Sequence, residues 1–594
     1  MRSMNRRILA VAVLAAVLAA GVTTISAQGQ DGGNVTFDVG EPQGIDSMSP
    51  LIGVVVPAFE AWNIQYATLT DKAAEDFHTI PGLAESWKSS KDKLTWTYKL
   101  RPNLRWSDGK PLTSEDIAWN VNTSRKEEWL NHSAVTANLT ATAPDPQTVV
   151  IKTSVPDPKL PTMDIYIVPK HIWGKMSADE RNKYPGEDGV GSGPFVLDKF
   201  EKGQFARFKA NKYYWAGKPA VDTVVLRKFN NPDAMVAALK TGELDAAWDI
   251  PGAAFNQLKE DDDFVTNEGY QGSFSEVALN GGDGLKKGHP ALEDPAVRKA
   301  IAHAIDRDTL VARVLDGIGK PLKTISPSAN PEWVPDLSED TSLDFDLDEA
   351  NRILDEAGYK DTNGDGVREM PNGGEPLNFT YYARSDGETG PKVAEFVRGW
   401  LDEIGIKTTE KIASDSELTP IIGKGDYDMF AWGWTPYVDP DTMLDYMTCK
   451  QVASDPEDPT NYYNDANYCD PVYDKLYEQQ KTELNKEKRL EIVHEMLTRW
   501  AKSGVYNVMW EEPETIAYRK DRFEGWTQQP AKTGPVLFSN TSPTYAKLKP
   551  VSASSSSDDG GGAGGTIAII AAAVLVLGAG AWFLSRRRSA DERE

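Results

Sequence analysis

Between Leu83 and Asn122 the chain reads LAESWKSSKDKLTWTYKLRPNLRWSDGKPLTSEDIAWNVN, and backbone physics alone divides this stretch into three local structures. Leu94, Trp96, Tyr98 and Leu100 alternate with polar residues, which is the period of a half-buried strand. Ser107-Asp108-Gly109 marks a turn, because glycine tolerates the backbone angle of a tight reversal. Thr113 then precedes Ser114, Glu115 and Asp116 and an apolar series through Ile117 and Val121. This predicts a helix with a hydroxyl N-cap and acids in its first turn, where the positive helix end favours them.

The same reading extends along the chain. Strands are expected at 35–39, 148–152, 244–249, 377–382, 428–432 and 505–510. Asn231-Pro232 opens a helix that Gly242 ends. Residues 293–316 read as one helix capped by Asp294, and further helices are expected at 346–357, 391–404, 471–482 and 486–502. Helices alternating with strands predict an α/β protein of two lobes, with the chain crossing between them more than once and a ligand enclosed where they meet.

With 594 residues, 40% of them hydrophobic, the chain can bury several cores. The 64 Lys and Arg against 89 Asp and Glu give a net charge of −25, which argues against a nucleic-acid-binding surface. Both ends read as targeting segments. Arg2, Arg6 and Arg7 precede an apolar run and the small residues Ser26-Ala27, so residues 1–27 are expected to be a signal peptide. The Ser/Gly stretch 552–565 reads as a flexible linker, 566–585 as a transmembrane anchor, and Arg586 to Arg588 place the tail 586–594 in the cytoplasm. The expected location is the cell surface, anchored in the cytoplasmic membrane with the folded part outside.

PGLAESW and LRPNLRWSDGKPLTSEDIAWNV, then GSGPFVLDKFEKGQ, NKYYWAGKPAVDTVVLRKF and DPAVRKAIAHAIDRDTLV, closely resemble extracellular solute-binding proteins of family 5, the peptide-binding subunits of ABC importers. EPQGIDSMSPL at 41–51 resembles the family's opening segment, where an Asp-containing turn leads into the cleft. The resemblance covers nearly all of residues 34–548 and implies a periplasmic-binding-protein-like fold. Lobe I would comprise 34–51, 187–280 and 521–548, an extra subdomain of that lobe 52–186, and lobe II 281–520. It also implies capture of peptides by hinge closure and delivery to a permease driven by a separate ATPase. Oligosaccharides are the alternative ligand, suggested by 17 Trp residues, and an extracellular glycoside hydrolase is the rival class.

The segment GDYDMFAWGWTPYVDPDTMLDY, residues 425–446, carries the leading ligand candidates Trp432, Trp434, Tyr437 and Asp439. Of Trp432 and Trp434, one is expected to face the ligand while the other packs beneath it. In well-known peptide binders of the family an acid shortly after the GW pair holds the ligand's amino group. Here Pro436 and Tyr437 stand in its place, and Asp439 can serve instead as a helix cap. Tyr270, Glu276 and Trp510 are further wall candidates.

Asp361, Asn363 and Asp365 in DTNGDG match the first half of a calcium-binding loop, but position twelve is Asn372 rather than Glu, so a polar turn is the preferred reading and no cofactor is expected. Cys449 and Cys469, the only cysteines, are expected to form a disulfide in an exported chain. No nucleophile elbow, P-loop or HExxH is present; Glu511 and Glu512 with Asp439 are the only acids that suggest a glycosidase, and abundance explains them.

Overall fold

The computed structural model describes residues 34–163, 165–385, 389–455 and 463–551. The expected signal peptide, linker, anchor and tail lie outside the described residues, among which no helix is long and apolar enough to cross a membrane.

Two large sheets dominate. One has seven strands in the order Phe264–Gly269, Glu514–Arg519, Ala246–Trp248, Thr36–Glu41, Thr223–Lys228, Phe205–Ala210 and Phe195–Glu201. The other has six, in the order Lys320–Pro321, Tyr506–Glu511, Phe274–Leu279, Met429–Trp434, Asn378–Arg384 and Lys407–Ala413. The chain passes between them through residues 270–273 and again through 512–513, each a short link between the end of one strand and the start of the next. The two links are tied together, because the Glu512 amide donates to the Ser273 carbonyl at 2.7 Å.

Each sheet has its own core. Phe37, Val39, Trp62, Phe195, Phe208 and Leu226 are buried against the seven-stranded sheet. In the six-stranded sheet the strand period of two sends Val277 and Leu279 to one face with Tyr381 and Met429, and Phe274 and Ala278 to the other with Phe430 and Val508, so helices cover both faces. A third sheet, Ala84–Ser89, Thr95–Leu100, Thr148–Thr153 and Leu139–Asp145 in spatial order, packs on the helix Ser114–Glu127. Trp96, Tyr98 and Leu100 are buried there as the alternation requires, Gly109 sits at φ +89°, and Thr113 and Asp116 form a reciprocal capping box.

One expected element is corrected. Residues 293–316 form two helices, Pro295–His303 and Arg307–Val314. Asp306 interrupts the first and caps the second, accepting the Thr309 amide at 3.0 Å, while Arg307 turns inward to donate to the Val508 carbonyl at 2.7 Å. The apolar stripe continued through the break and concealed it.

Candidate functional site

In the seven-stranded sheet, Thr36–Glu41 runs parallel to both Thr223–Lys228 and Ala246–Trp248, and in the other sheet Asn378–Arg384 runs parallel to Met429–Trp434. Open α/β sheets bind ligands beyond the carboxyl ends of such strands. A cavity lies there. Residues 42–46, Lys228, Trp248, Asp249 and Arg384 all follow or end these strands, and with the turn Lys202-Gly203 they enclose about 780 Å³. Arg384 belongs to the six-stranded sheet and the rest to the seven-stranded one, so the cavity spans the two.

The walls carry both signs of charge: Asp46 and Asp249 against Lys202, Lys228 and Arg384. Trp248 is held rigidly, its indole stacked on Phe538 with centroids 4.3 Å apart and its Nε1–H donating to Glu514 at 2.6 Å. Burial raises the Glu514 carboxyl to about 7, against the bonds from Gln271 and Trp248 that oppose the rise. Arg384 reaches from the other side; its Nε donates to Asp415 at 2.6 Å, and its guanidinium lies over the Trp432 ring at 4.7 Å.

Trp432 therefore sits one residue behind the cavity wall, touching it through Arg384. The expectation that Trp432 and Trp434 point opposite ways is corrected. Flanking Gly433, they are two apart in one strand and share a face, pairing with Glu276 and Phe274 respectively. Both are half-buried, and Trp434 packs on Tyr446 at 5.4 Å, which stacks on Tyr463 at 4.6 Å. Tyr437 is 48% exposed and its carbonyl accepts the Ala329 amide at 2.9 Å.

Asp439 is engaged by the protein itself. Arg489 donates to both its oxygens, and Oδ1 also accepts the Asp441 amide at 2.9 Å, beside the start of the helix Asp441–Tyr446. Burial would raise this carboxyl, but the charge and hydrogen bonds of Arg489 outweigh burial and hold it below the usual range. Tyr270 and Trp510, expected as wall candidates, lie apart from this cavity. They are 5% and 2% exposed and neither lines the cavity: Trp510 packs in the core, and the Tyr270 hydroxyl donates to Glu268. Glu276 is fully buried and its two carboxylate oxygens have no hydrogen-bond partner among the described residues. The acids considered for hydrolysis are engaged too, with Asp439 on Arg489, Glu512 accepting from Ser275 and Glu511 accepting the Gly272 amide at 3.2 Å.

Asp361, Asn363 and Asp365 lie on an exposed turn closed by its own bonds. Asp361 accepts the Gly364 and Gly366 amides at 2.7 and 2.9 Å, and Asn363 donates to Glu369 at 2.9 Å. Asp361, Asp365 and Glu369 place carboxylate oxygens within 4.8 Å of one another, yet those of Asp361 are taken by amides. Cys449 and Cys469 are joined, with Cα atoms 4.5 Å apart.

Asp249, Trp248, Lys228 and Arg384 went unrecognised in the sequence, although Asp249 is signalled by its position, an acid between the strand Ala246–Trp248 and Pro251. The opening turn 42–46 was read as leading into a cleft and does line the cavity.

The model of bacterial extracellular solute-binding proteins, family 5 (middle), matches residues 78–455. A Brucella ovis protein named as a putative ABC transporter peptide-binding protein is 31% identical over 441 residues, covering 70% of this chain and 75% of the relative. The oligopeptide-binding protein AppA of Bacillus subtilis, solved with a nonapeptide, superposes with a TM-score of 0.67 at 23% identity, covering 88% of this chain and all of that one. NikA of Brucella suis, solved with Fe(III)-EDTA, gives 0.72 at 23% identity, covering 86% and 100%. With a mixed α/β periplasmic-binding-protein fold and a family match across most of its length, this chain belongs to the bacterial extracellular solute-binding proteins of family 5, which bind rather than transform their ligands.

Proposed function

We propose that the protein captures short peptides outside the cell and delivers them to the permease of an ABC importer. The observation that carries this reading is the mixed charge of the cavity, two acids and three basic groups around about 780 Å³. A free peptide presents an ammonium, a carboxylate and backbone amides, and such walls match each of them. The relatives named for peptides support the same class. Neutral oligosaccharides would use ring faces along the cavity, and Trp248 is the one aromatic residue among the described residues that line it.

The reading includes two lobes, one built on each large sheet, with 52–186 as an extra subdomain of lobe I, hinging at 270–273 and 512–513. It also includes secretion by residues 1–27 and tethering by 566–585, which would hold the binding part near the permease. The test is to purify the protein without refolding, release its contents by mild denaturation and weigh them. Peptides recovered unchanged, which also raise the melting temperature with concentration, support the proposal. Recovery of sugars or chelated metals alone would replace it.

A further inference from the structure

Asp249 stands out among the groups facing the cavity. It follows the strand Ala246–Trp248 with φ +55°, and the next residue is clamped on both sides: the Ile250 amide donates to the Thr515 carbonyl at 3.2 Å and the Thr515 hydroxyl donates to the Ile250 carbonyl at 2.7 Å. Asp249 is thereby presented to the cavity, where it is exposed, and its carboxylate has no hydrogen bond or ion pair among the described residues. Protein encloses its other sides, and this enclosure raises its carboxyl.

The charges behind it point the same way. Burial raises Glu512 and Glu514, the Asp249 charge raises both further, and Glu512 and Glu276 both feel Arg384. Arg384 is committed to Asp415 through two nitrogens. Lys202 and Lys228 belong to the turn and strand end beside Gly44, whose Cβ position lies 3.0 Å from the Lys228 Cδ. Glu276, fully buried next to Trp432 with both oxygens unpartnered among the described residues, has its carboxyl raised well above the usual range by burial, so it stays uncharged and makes no demand on the cations. Of the two acids in the lining, Asp46 accepts the Val54 amide at 2.9 Å, which leaves Asp249 as the one with neither a hydrogen bond nor an ion pair among the described residues.

We infer that Asp249 anchors a cationic group of the ligand, an ammonium or guanidinium, in place of the acid that other peptide binders carry after the GW pair. The assignment rests on the peptide reading and narrows it to peptides with a free amino end or a basic side chain near that end. Asp439 is excluded from the role by Arg489, which occupies both its oxygens.

The experiment uses the secreted part of the chain, stripped of bound ligand, and an equimolar pool of synthetic peptides of two to five residues, each in free and N-acetylated form. Retained peptides are identified by mass for the wild type, Asp249→Asn and Asp439→Asn. Asn tolerates the same left-handed backbone, so Asp249→Asn removes charge with little else. The expected result is a preference for free amines of about 10- to 100-fold in the wild type and in Asp439→Asn, lost in Asp249→Asn. Retention of free and acetylated forms alike by the wild type, or a preference that survives Asp249→Asn, overturns the anchor while leaving peptide binding intact. Retention of no peptide by the wild type overturns the peptide reading itself. Should Asp249→Asn fold poorly, the wild-type comparison of free with acetylated lysine-free peptides still decides whether any ammonium is read.

Discussion

Arg489 holds Asp439 through both guanidinium nitrogens, Nη1 to Oδ2 and Nη2 to Oδ1, each at 2.8 Å. The Arg489 side chain is 5% exposed and also donates from Nε to Gln480 at 3.1 Å, and among the acids that support its charge Asp439 leads, with Asp441 and Asp157 behind it. Removing one partner of such a pair strands the other. Asp439→Asn should lower the unfolding free energy by about 2–4 kcal/mol, measured in urea, and leave discrimination between free and acetylated peptides unchanged. A stable variant with altered ligand choice would return Asp439 to the ligand.

Lys159 ties the segment after the strand Thr148–Thr153 to the helix Asp441–Tyr446, its ammonium bonded to Asp441 and flanked by Asp157 at 4.0 Å. Burial would lower this ammonium, but the acids around it, led by Asp441, raise it. In the proposed arrangement the two ends of this link belong to opposite lobes, so the bond forms as they close. Lys159→Met should weaken peptide affinity by roughly 3- to 10-fold whatever the peptide, about 1 kcal/mol, and shift solution scattering toward a more open shape. Unchanged affinity and scattering would show that the link does not cross the moving interface.

Trp432 and Trp434 separate by what covers them. Trp434 packs into the Tyr446–Tyr463 stack, whereas Trp432 carries Arg384 and through it meets the cavity. Trp434→Ala should cost about 3 kcal/mol of stability, as for other large-to-small changes in packed sites. Trp432→Ala should instead weaken peptide binding by about 1–3 kcal/mol by freeing Arg384. Calorimetry on both variants checks the split, and the reverse pattern would place Trp434 at the ligand.

The strand, turn and capped helix between Leu83 and Asn122 were legible because each depends on neighbours in sequence: the alternation of Trp96, Tyr98 and Leu100, the φ of Gly109, the Thr113–Asp116 box. Asn231 and Gly242 bounded their helix for the same reason. The site was less legible because it is assembled from the carboxyl ends of strands far apart in the chain. Trp432 announced itself by residue type and proved to act through Arg384, while Asp249, an ordinary acid in a chain rich in acids, gained its position from strands at 36–41 and 514–519. Asp439 shows the converse: its DP pair was visible, but the partner that neutralises it lies at Arg489, in another helix.

Glu60 is 2% exposed on the helix Val56–Gln65, accepts the Phe538 amide at 2.7 Å and the Ser542 hydroxyl, and has its carboxyl raised from 4.5 to about 7, chiefly by burial. The folded protein therefore keeps a proton on Glu60 that the unfolded chain loses near 4.5. Where the folded state binds more protons, stability falls as pH rises. The stabilising contribution is complete below about 4.5 and is lost as pH climbs through about 7, a change of roughly 3 kcal/mol for this group. Glu514, raised to about 7 by burial, adds in the same direction. Glu60→Gln, which keeps the shape of the protonated acid, should flatten the fall in melting temperature between pH 5 and pH 8 and melt above the wild type at the upper end. Chemical denaturation at both pH values measures it, and parallel curves for variant and wild type would mean that Glu60 is ionised in the folded protein.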